Sequence, residues 1–154
     1  MTAVEPLIEE SIETSAPPVR VWALVSDLAN MSRWSPQVAR TIVRGRPVQL
    51  GTRTININRD GIKVWPTRSK VVRFEPHHQI AFRVKENLTI WSFDLAETPT
   101  GGTRIVQRRE APDGTSDISH RLVDLVFGGQ ERFQTSLRAG MRQTLQRIKA
   151  EVEA

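Results

Sequence analysis

The chain has 154 residues, of which 38% are apolar and 25% charged, and it contains no cysteine. These values are ordinary for a single folded domain over residues 1–154, and they exclude disulfides, thiolate chemistry and thiolate metal sites. The net charge of +5 comes mostly from arginines that alternate with apolar or hydroxyl residues, as on the solvent side of a half-buried sheet, so no nucleic-acid partner is expected.

The first predicted elements are a strand and two short helices. Residues 7–14, LIEESIET, have the alternation of a strand, and the stretch SAPPVRVWALVSDLANMSRWSP follows with helical spacing. We expect Ser15 to cap the first helix, because Pro17-Pro18 suits a first turn, and Ser26-Asp27 to cap the second. Pro36 ends the second helix because proline disfavours helix at the residue before it.

Six further strands are predicted between residues 37 and 111, where alternation replaces the helical period. Short turns rich in Gly, Pro, Asn and Asp separate them, which indicates an antiparallel meander. Pro66 predicts an edge position or a bulge in the third of these strands. The six segments are VARTIVR (38–44), TRTININ (52–58), KVWPTRSKVVRF (63–74), QIAFRVKE (79–86), LTIWSFDL (88–95) and TRIVQRRE (103–110).

Helical spacing returns after Gly114. A helix that includes Ile118 and Leu125 is expected to stop at Gly128-Gly129. Apolar residues then recur at steps of three and four, which predicts one long amphipathic helix over residues 133–152 with an arginine-rich opposite face.

Three segments carry a resemblance to a known family. APPVRVWALVSDLANMSRWSP, the strand WSFDL before GGTRI, and the long last helix together resemble the START-like superfamily (SRPBCC, or birch-pollen-allergen-like, proteins). Within it, the chain is similar to the bacterial polyketide cyclase/dehydrase-like branch over about residues 7 to 152. The resemblance implies an α+β helix-grip fold of order β-α-α-β6-α, in which a curved seven-stranded antiparallel sheet surrounds the C-terminal helix.

The resemblance also implies a cavity between the sheet and the long helix. Strand alternation turns several aromatic and aliphatic side chains toward that space, although the same residues could fill a solid core. Trp22 is expected in the core, whereas Trp34 suits either the core or the cavity mouth. The predicted ligand-binding residues are Trp34, Trp65, Phe82, Val84, Trp91, Phe93, Ile105, Gln107, Arg109, Phe133, Leu137 and Met141.

The phase of the TRIVQRRE strand is ambiguous because two adjacent residues are apolar. In the favoured phase Gln107 and Arg109 face inward, and a shift of one residue would turn Arg108 and Glu110 inward instead. Relatives of the cyclase type use an interior arginine and a few polar groups to hold polyketide carbonyls, so the resemblance makes Arg109 the candidate for that role. Cyclisation also needs a proton donor or acceptor near the reacting carbon, for which the catalytic candidates are Arg109, Glu110 and Gln107. The alternative role of Arg109 is a structural ion pair with a glutamate.

The sequence therefore predicts a binding protein for a small hydrophobic ligand, such as a lipid, an acyl chain or a polyketide. The alternative is an enzyme that cyclises or dehydrates a poly-β-keto chain, and a third possibility is a protein-partner role for the arginine-rich helix face. The three histidines lack metal-ligand spacing, so no metal and no cofactor are expected. We expect a monomer or homodimer, and a cytoplasmic one because the N-terminus has no apolar signal region.

Overall fold

The computed structural model describes residues 4–114, 121, 123 and 129–154. Most of the predicted helix that includes Ile118 and Leu125 lies outside the described residues, and Arg121 and Val123, which are described, are helical. The elements are β1 (Leu7–Thr14), α1 (Pro18–Val25), a 3-10 turn (Leu28–Asn30) that leads into α2 (Met31–Trp34), β2 (Val38–Arg44), β3 (Arg53–Asp60), β4 (Lys63–Glu75), β5 (Gln79–Val84), β6 (Ile90–Glu97), β7 (Thr103–Glu110) and α3 (Gln130–Val152).

The strands form one antiparallel sheet in the order β1-β7-β6-β5-β4-β3-β2. The sheet curves around α3, which packs against β1, α1 and α2, so the predicted α+β helix-grip fold is confirmed. Pro66 lies in the part of β4 that extends beyond β5, since β5 pairs with β4 only from Ser69 onward. Its missing N–H therefore falls at a local edge, as its position in the sequence indicated.

Of the two predicted helix caps, Ser15 is wrong, whereas Ser26-Asp27 is right in position. Pro17 occupies the N-cap position of α1 and Asp27 that of the 3-10 turn, and neither position has a capping side-chain hydrogen bond. Ser26 instead turns its hydroxyl back to donate to the carbonyl of Trp22 at 2.6 Å. This turn ends α1 and sets the angle between the two short helices.

The main core lies where α1, the 3-10 turn and α2 cover one end of the sheet beside α3. Trp22 is buried there, and its ring meets Phe74 edge to face at a centroid distance of 5.5 Å, as expected for a core residue. A smaller apolar cluster of Ile8, Leu137 and Met141 lies between β1 and α3. No helix among the described residues is long and apolar enough to cross a membrane.

The end of α3 is tied to β1 through Glu153. Thr14 Oγ1 donates to Glu153 Oε2 at 2.6 Å, and this hydrogen bond is the main reason that the pKa of the Glu153 carboxyl lies below its ordinary value. Because the folded pKa is lowered, the contact stabilises the fold above the unfolded pKa and is lost as the pH falls through the folded pKa. We expect Thr14→Val to raise the pKa of Glu153 toward 4.5 in a carboxyl NMR titration. An unchanged titration would contradict the assigned hydrogen bond.

Candidate functional site

A cavity separates the inner face of the sheet from α3. The space open to the centres of water-sized molecules is about 150 Å³, on the order of ten times what one water needs. The interior is therefore not a solid core. The described lining residues are Met31, Ser35, Gln37, Val38, Asn56, Asn58, Asp60, Trp65, Thr67, Phe82, Val84, Asn87, Thr89, Trp91, Gln107, Arg109, Val123, Gln130, Phe133, Leu137, Gly140, Met141 and Thr144.

Arg109 forms a polar end of the cavity. Its side chain is only 2% exposed, and its Nη2 donates to the Glu5 carbonyl and to Gln134 Oε1, both at 3.2 Å. Within the described part of the chain, Arg109 Nε and the nearby Gln107 Oε1 have no hydrogen-bond partner. Buried polar atoms in this state are available to a ligand.

The charge of Arg109 is not neutralised by a carboxylate of its own. Burial lowers the pKa of its guanidinium, the charge of Glu5 opposes that shift, and Arg138 adds to it. Glu5 is engaged elsewhere, because its carboxylate pairs with Arg138 at 2.6 Å. Among the described residues, the expected structural ion pair of Arg109 with a glutamate is therefore absent. A buried guanidinium without such a partner favours an anionic or strongly polar oxygen beside it.

An apolar wall adjoins this polar end. On β5 and β6, Phe82 stands directly opposite Trp91, and Trp91 in turn stands opposite Arg109 on β7. From the other side, α3 contributes Phe133, Leu137 and Met141. This arrangement suits a flat or acyl ligand that ends in a polar group.

A second, polar wall was missed by the sequence analysis. Asn58 Nδ2 donates to Thr67 Oγ1 at 2.9 Å, and Thr41 Oγ1 donates to Asn56 Oδ1 at 3.0 Å, so these side chains form a ladder across β2, β3 and β4. The sequence pattern that could have revealed this wall is TRTININ, whose alternation places Thr54, Asn56 and Asn58 on one face of the strand. The polar set faces inward in this strand, which reverses the usual arrangement.

The cavity opens beside α3. An outer groove, lined in part by Arg59, Gly61 and Ser136, shares Gln37, Asp60 and Gly140 with the cavity. A Cβ at Gly140 would lie 2.8 Å from Gln37 Oε1, so the absent side chain makes room for the Gln37 amide, which donates to the Ser136 carbonyl beside the opening. The carboxylate of Asp60 therefore stands at the mouth.

Nine of the twelve predicted ligand-binding residues line the cavity, and whether they bind a ligand stays a prediction. The three others are core residues: Trp34 and Phe93 are 2% and 1% exposed, and Ile105 is fully buried. All three belong to or adjoin the main core, which the short helices cover, and they do not reach the cavity.

The pairing of β7 decides its phase. Ile105, Gln107 and Arg109 are buried and face inward, as favoured from the sequence. Glu110 points to the outer face, where its carboxylate pairs with Arg73 at 2.6 Å. Glu110 is therefore not in the cavity, and its candidacy as a catalytic residue was wrong.

In the described ranges, no three histidine or acidic side chains come together as a metal site.

A family model described as "Polyketide cyclase / dehydrase and lipid transport" matches residues 6–153. The chain belongs to this family. The resemblance stated from the sequence is therefore confirmed. No curated protein matches the chain in sequence.

Solved structures with the family's fold are similar at low identity. The Zhui aromatase/cyclase from Streptomyces sp. R1128 has a TM-score of 0.72 at 14% identity, with 96% of this chain and 93% of that chain covered. The polyketide-cyclase-like protein Cgl2372 from Corynebacterium glutamicum has a TM-score of 0.65 at 24% identity, with 96% and 91% covered. The di-domain aromatase/cyclase StfQ of the steffimycin pathway has a TM-score of 0.74 at 14% identity, and the chain spans 50% of it. At these identities the likeness shows the fold.

Proposed function

We propose that the protein binds a flat, hydrophobic, oxygen-rich small molecule of the polyketide type in the cavity between sheet and α3. The observation that carries this proposal is the buried Arg109 guanidinium, which faces an aromatic-lined space without a carboxylate partner among the described residues. The family and the aromatase/cyclase neighbours support the same ligand class.

Three regions of the lining would contact three parts of the ligand, and the first two are the polar end and the apolar wall. An acidic oxygen, such as a phenolate, an enolate or a carboxylate, would bind Arg109 and Gln107. The rings would lie on Trp91 and Phe82. Hydrogen bonds to a charged partner are worth about 1.5–3 kcal/mol each, so Arg109 would supply a large share of the affinity.

The polar ladder would hold the opposite edge of the ligand. Asn56, Asn58 and Thr67 present amide and hydroxyl groups that can each donate and accept a hydrogen bond. Carbonyl and hydroxyl groups spaced along one edge of a polyketide would add hydrogen bonds to those within this wall, whereas a plain fatty acyl chain would make none with it. We therefore favour an oxygenated ligand over a simple lipid.

Ligand binding is tested with a hydroxyanthraquinone carboxylic acid and its methyl ester. We expect quenching of the fluorescence of cavity-lining Trp65 and Trp91, with the acid bound at least about tenfold more tightly than the ester because only the acid carries a charge for Arg109. Equal affinities, or no saturable quenching by either compound, would contradict the proposal.

A second candidate function is cyclisation of a poly-β-keto chain, and Asp60 favours it. It is the one carboxylate among the described lining residues. Asp60 would accept a proton from an activated CH₂ group, Arg109 would hold the enolate oxygen, and the carbanion would attack a carbonyl of the same chain before water leaves.

The enzyme function is tested with a poly-β-keto thioester. We expect a product that has lost water, detected by mass spectrometry, and at least about a hundredfold lower rate for Asp60→Asn, which keeps the shape of the side chain but removes its basicity. Asp27→Asn is the matched control, since Asp27 lies outside the cavity lining. An unchanged rate for Asp60→Asn would leave binding as the function.

A further inference from the structure

The charge of the protein is concentrated in one half of the sheet. Residues 38–85 contain eleven Lys and Arg but only two Asp and Glu, which gives a net charge of +9. The rest of the sequence therefore carries −4, although the whole chain is at +5. This half corresponds to β2, β3, β4 and β5.

Four cations of this region form a continuous row on the convex, outer face of the sheet. Arg44 pairs with Arg53 across β2 and β3, Arg53 with Lys70 across β3 and β4, and Lys70 with Arg83 across β4 and β5. All four side chains are exposed. With neighbouring strands about 4.8 Å apart, this cationic row is roughly 14 Å long.

The other half of the same face is arranged differently. There Arg108 stands opposite Glu9 and Arg104 opposite Glu13, and Arg108 makes ion pairs with both Glu9 and Asp94. In contrast, no member of the cationic row forms an ion pair within the described part of the chain. Like charges directly opposite one another destabilise a sheet, so local stability does not explain the row.

Apolar side chains lie beside the cationic row on the outer face. Ile42 stands opposite Ile55 and Ile57 opposite Pro66. Ile42 is 38% exposed. A short apolar strip of Ile42, Ile55, Ile57 and Pro66 therefore lies beside the cationic row. Arg68, which stands opposite Ile55 and pairs with Glu86, limits this strip on β4.

We propose that the cationic row and its apolar strip dock an acidic amphipathic helix of a partner protein. A helix laid across the strands repeats every 5.4 Å or so, close to the strand spacing of about 4.8 Å. One Glu or Asp per turn over three turns would meet all four cations. An adjacent apolar stripe on that helix would cover Ile42 and Ile55.

The apolar strip favours a protein partner over the phosphates of a nucleic acid, which offer nothing to cover it. A membrane fits less well because Ile62, the most exposed apolar side chain in the described ranges, lies beyond the far end of β3, which is itself roughly 23 Å along the strand from Arg53. The docking surface is independent of what the cavity binds.

The test uses the whole protein and a synthetic helical peptide with one Glu per turn and a neighbouring stripe of Leu. A peptide of the same composition in scrambled order is its control. We expect saturable binding of the patterned peptide, with NMR shift changes centred on Arg44, Arg53, Lys70 and Arg83. No saturation below about 1 mM, or equal binding of the scrambled peptide, would overturn the proposal.

A charge reversal tests the row itself. Arg53→Glu is expected to weaken binding of the peptide at least about tenfold, whereas Arg132→Glu on α3, which replaces an exposed arginine outside the row, changes the affinity less than about twofold.

The new carboxylate of Arg53→Glu lies between Arg44 and Lys70, so the melting temperature should rise by about 1–3 °C. A lowered melting temperature would mean that the row serves the fold and would overturn the proposal. Tighter binding of phosphatidylglycerol vesicles or duplex DNA than of the peptide would also overturn it.

Discussion

Replacing Arg109 by methionine is expected to weaken binding of the hydroxyanthraquinone carboxylic acid about a hundredfold while leaving the free energy of unfolding unchanged or raising it by about 1–3 kcal/mol. The affinity falls because the acid loses the cation at the polar end of the cavity. The stability does not fall because the original protein buries this guanidinium without a carboxylate partner among the described residues, and that burial costs free energy. The variant no longer has this cost. Methionine is unbranched and fills a similar volume.

A structural role of Arg109 predicts the opposite pair of results. Its guanidinium also donates to the Glu5 carbonyl and to Gln134 Oε1, which join the start of the chain to α3. If these bonds were its purpose, Arg109→Met would lower the stability by about 1–3 kcal/mol and leave the affinity of the acid intact. Isothermal titration and urea denaturation of the same variant therefore separate the two roles.

Arg104→Met is the matched control for this experiment. Arg104 lies on the same strand but on the outer face, where it is exposed opposite Glu13. We expect its affinity for the acid to stay within about twofold of the original protein, since the removed charge is outside the cavity and screened by solvent. A similar loss in both variants would mean that net charge, rather than the position of Arg109, sets the affinity.

The outline of the fold could be predicted because local signals determine it. The bounds of β1, β2 and β7 agree with their predicted ranges, since alternation and turn residues mark both ends of each strand. The start of α3 at Gln130 was not predicted. Its first turns bury Gln130 and Gln134, polar side chains that carry no apolar periodicity.

The orientation of each strand was harder to read than its existence. Alternation separates two faces but does not say which is inner, and the usual assignment of apolar residues inward fails in β3, where Ile55 and Ile57 face outward. In β7, the pairing with the neighbouring strands β1 and β6 determines which set of side chains faces inward. A polar cavity wall places polar residues on the inner face of a strand and apolar residues on the outer face, which is the reverse of the pattern used to assign strand faces from the sequence.

The two tryptophans Trp34 and Trp65 should respond differently to truncation. Trp34 is 2% exposed and belongs to the main core, so Trp34→Ala is expected to cost about 3–5 kcal/mol, a large part of the 5–15 kcal/mol that typically stabilises a domain. Trp65 is half-buried and lines the cavity. Trp65→Ala should cost about 1 kcal/mol or less but weaken binding of the aromatic acid roughly tenfold, since the cavity would lose one of the aromatic side chains that line it.

Urea denaturation and ligand titration of both variants measure these four quantities. Trp34→Phe serves as the control for the core, and this variant should retain most of the stability. Trp34 Nε1 has no hydrogen-bond partner in the described chain, so phenylalanine loses no hydrogen bond there. A cost below about 1.5 kcal/mol for Trp34→Ala, together with weaker binding, would instead place this indole at the cavity mouth. The depth of one side chain thus decides whether α2 seals the core or helps to hold the ligand.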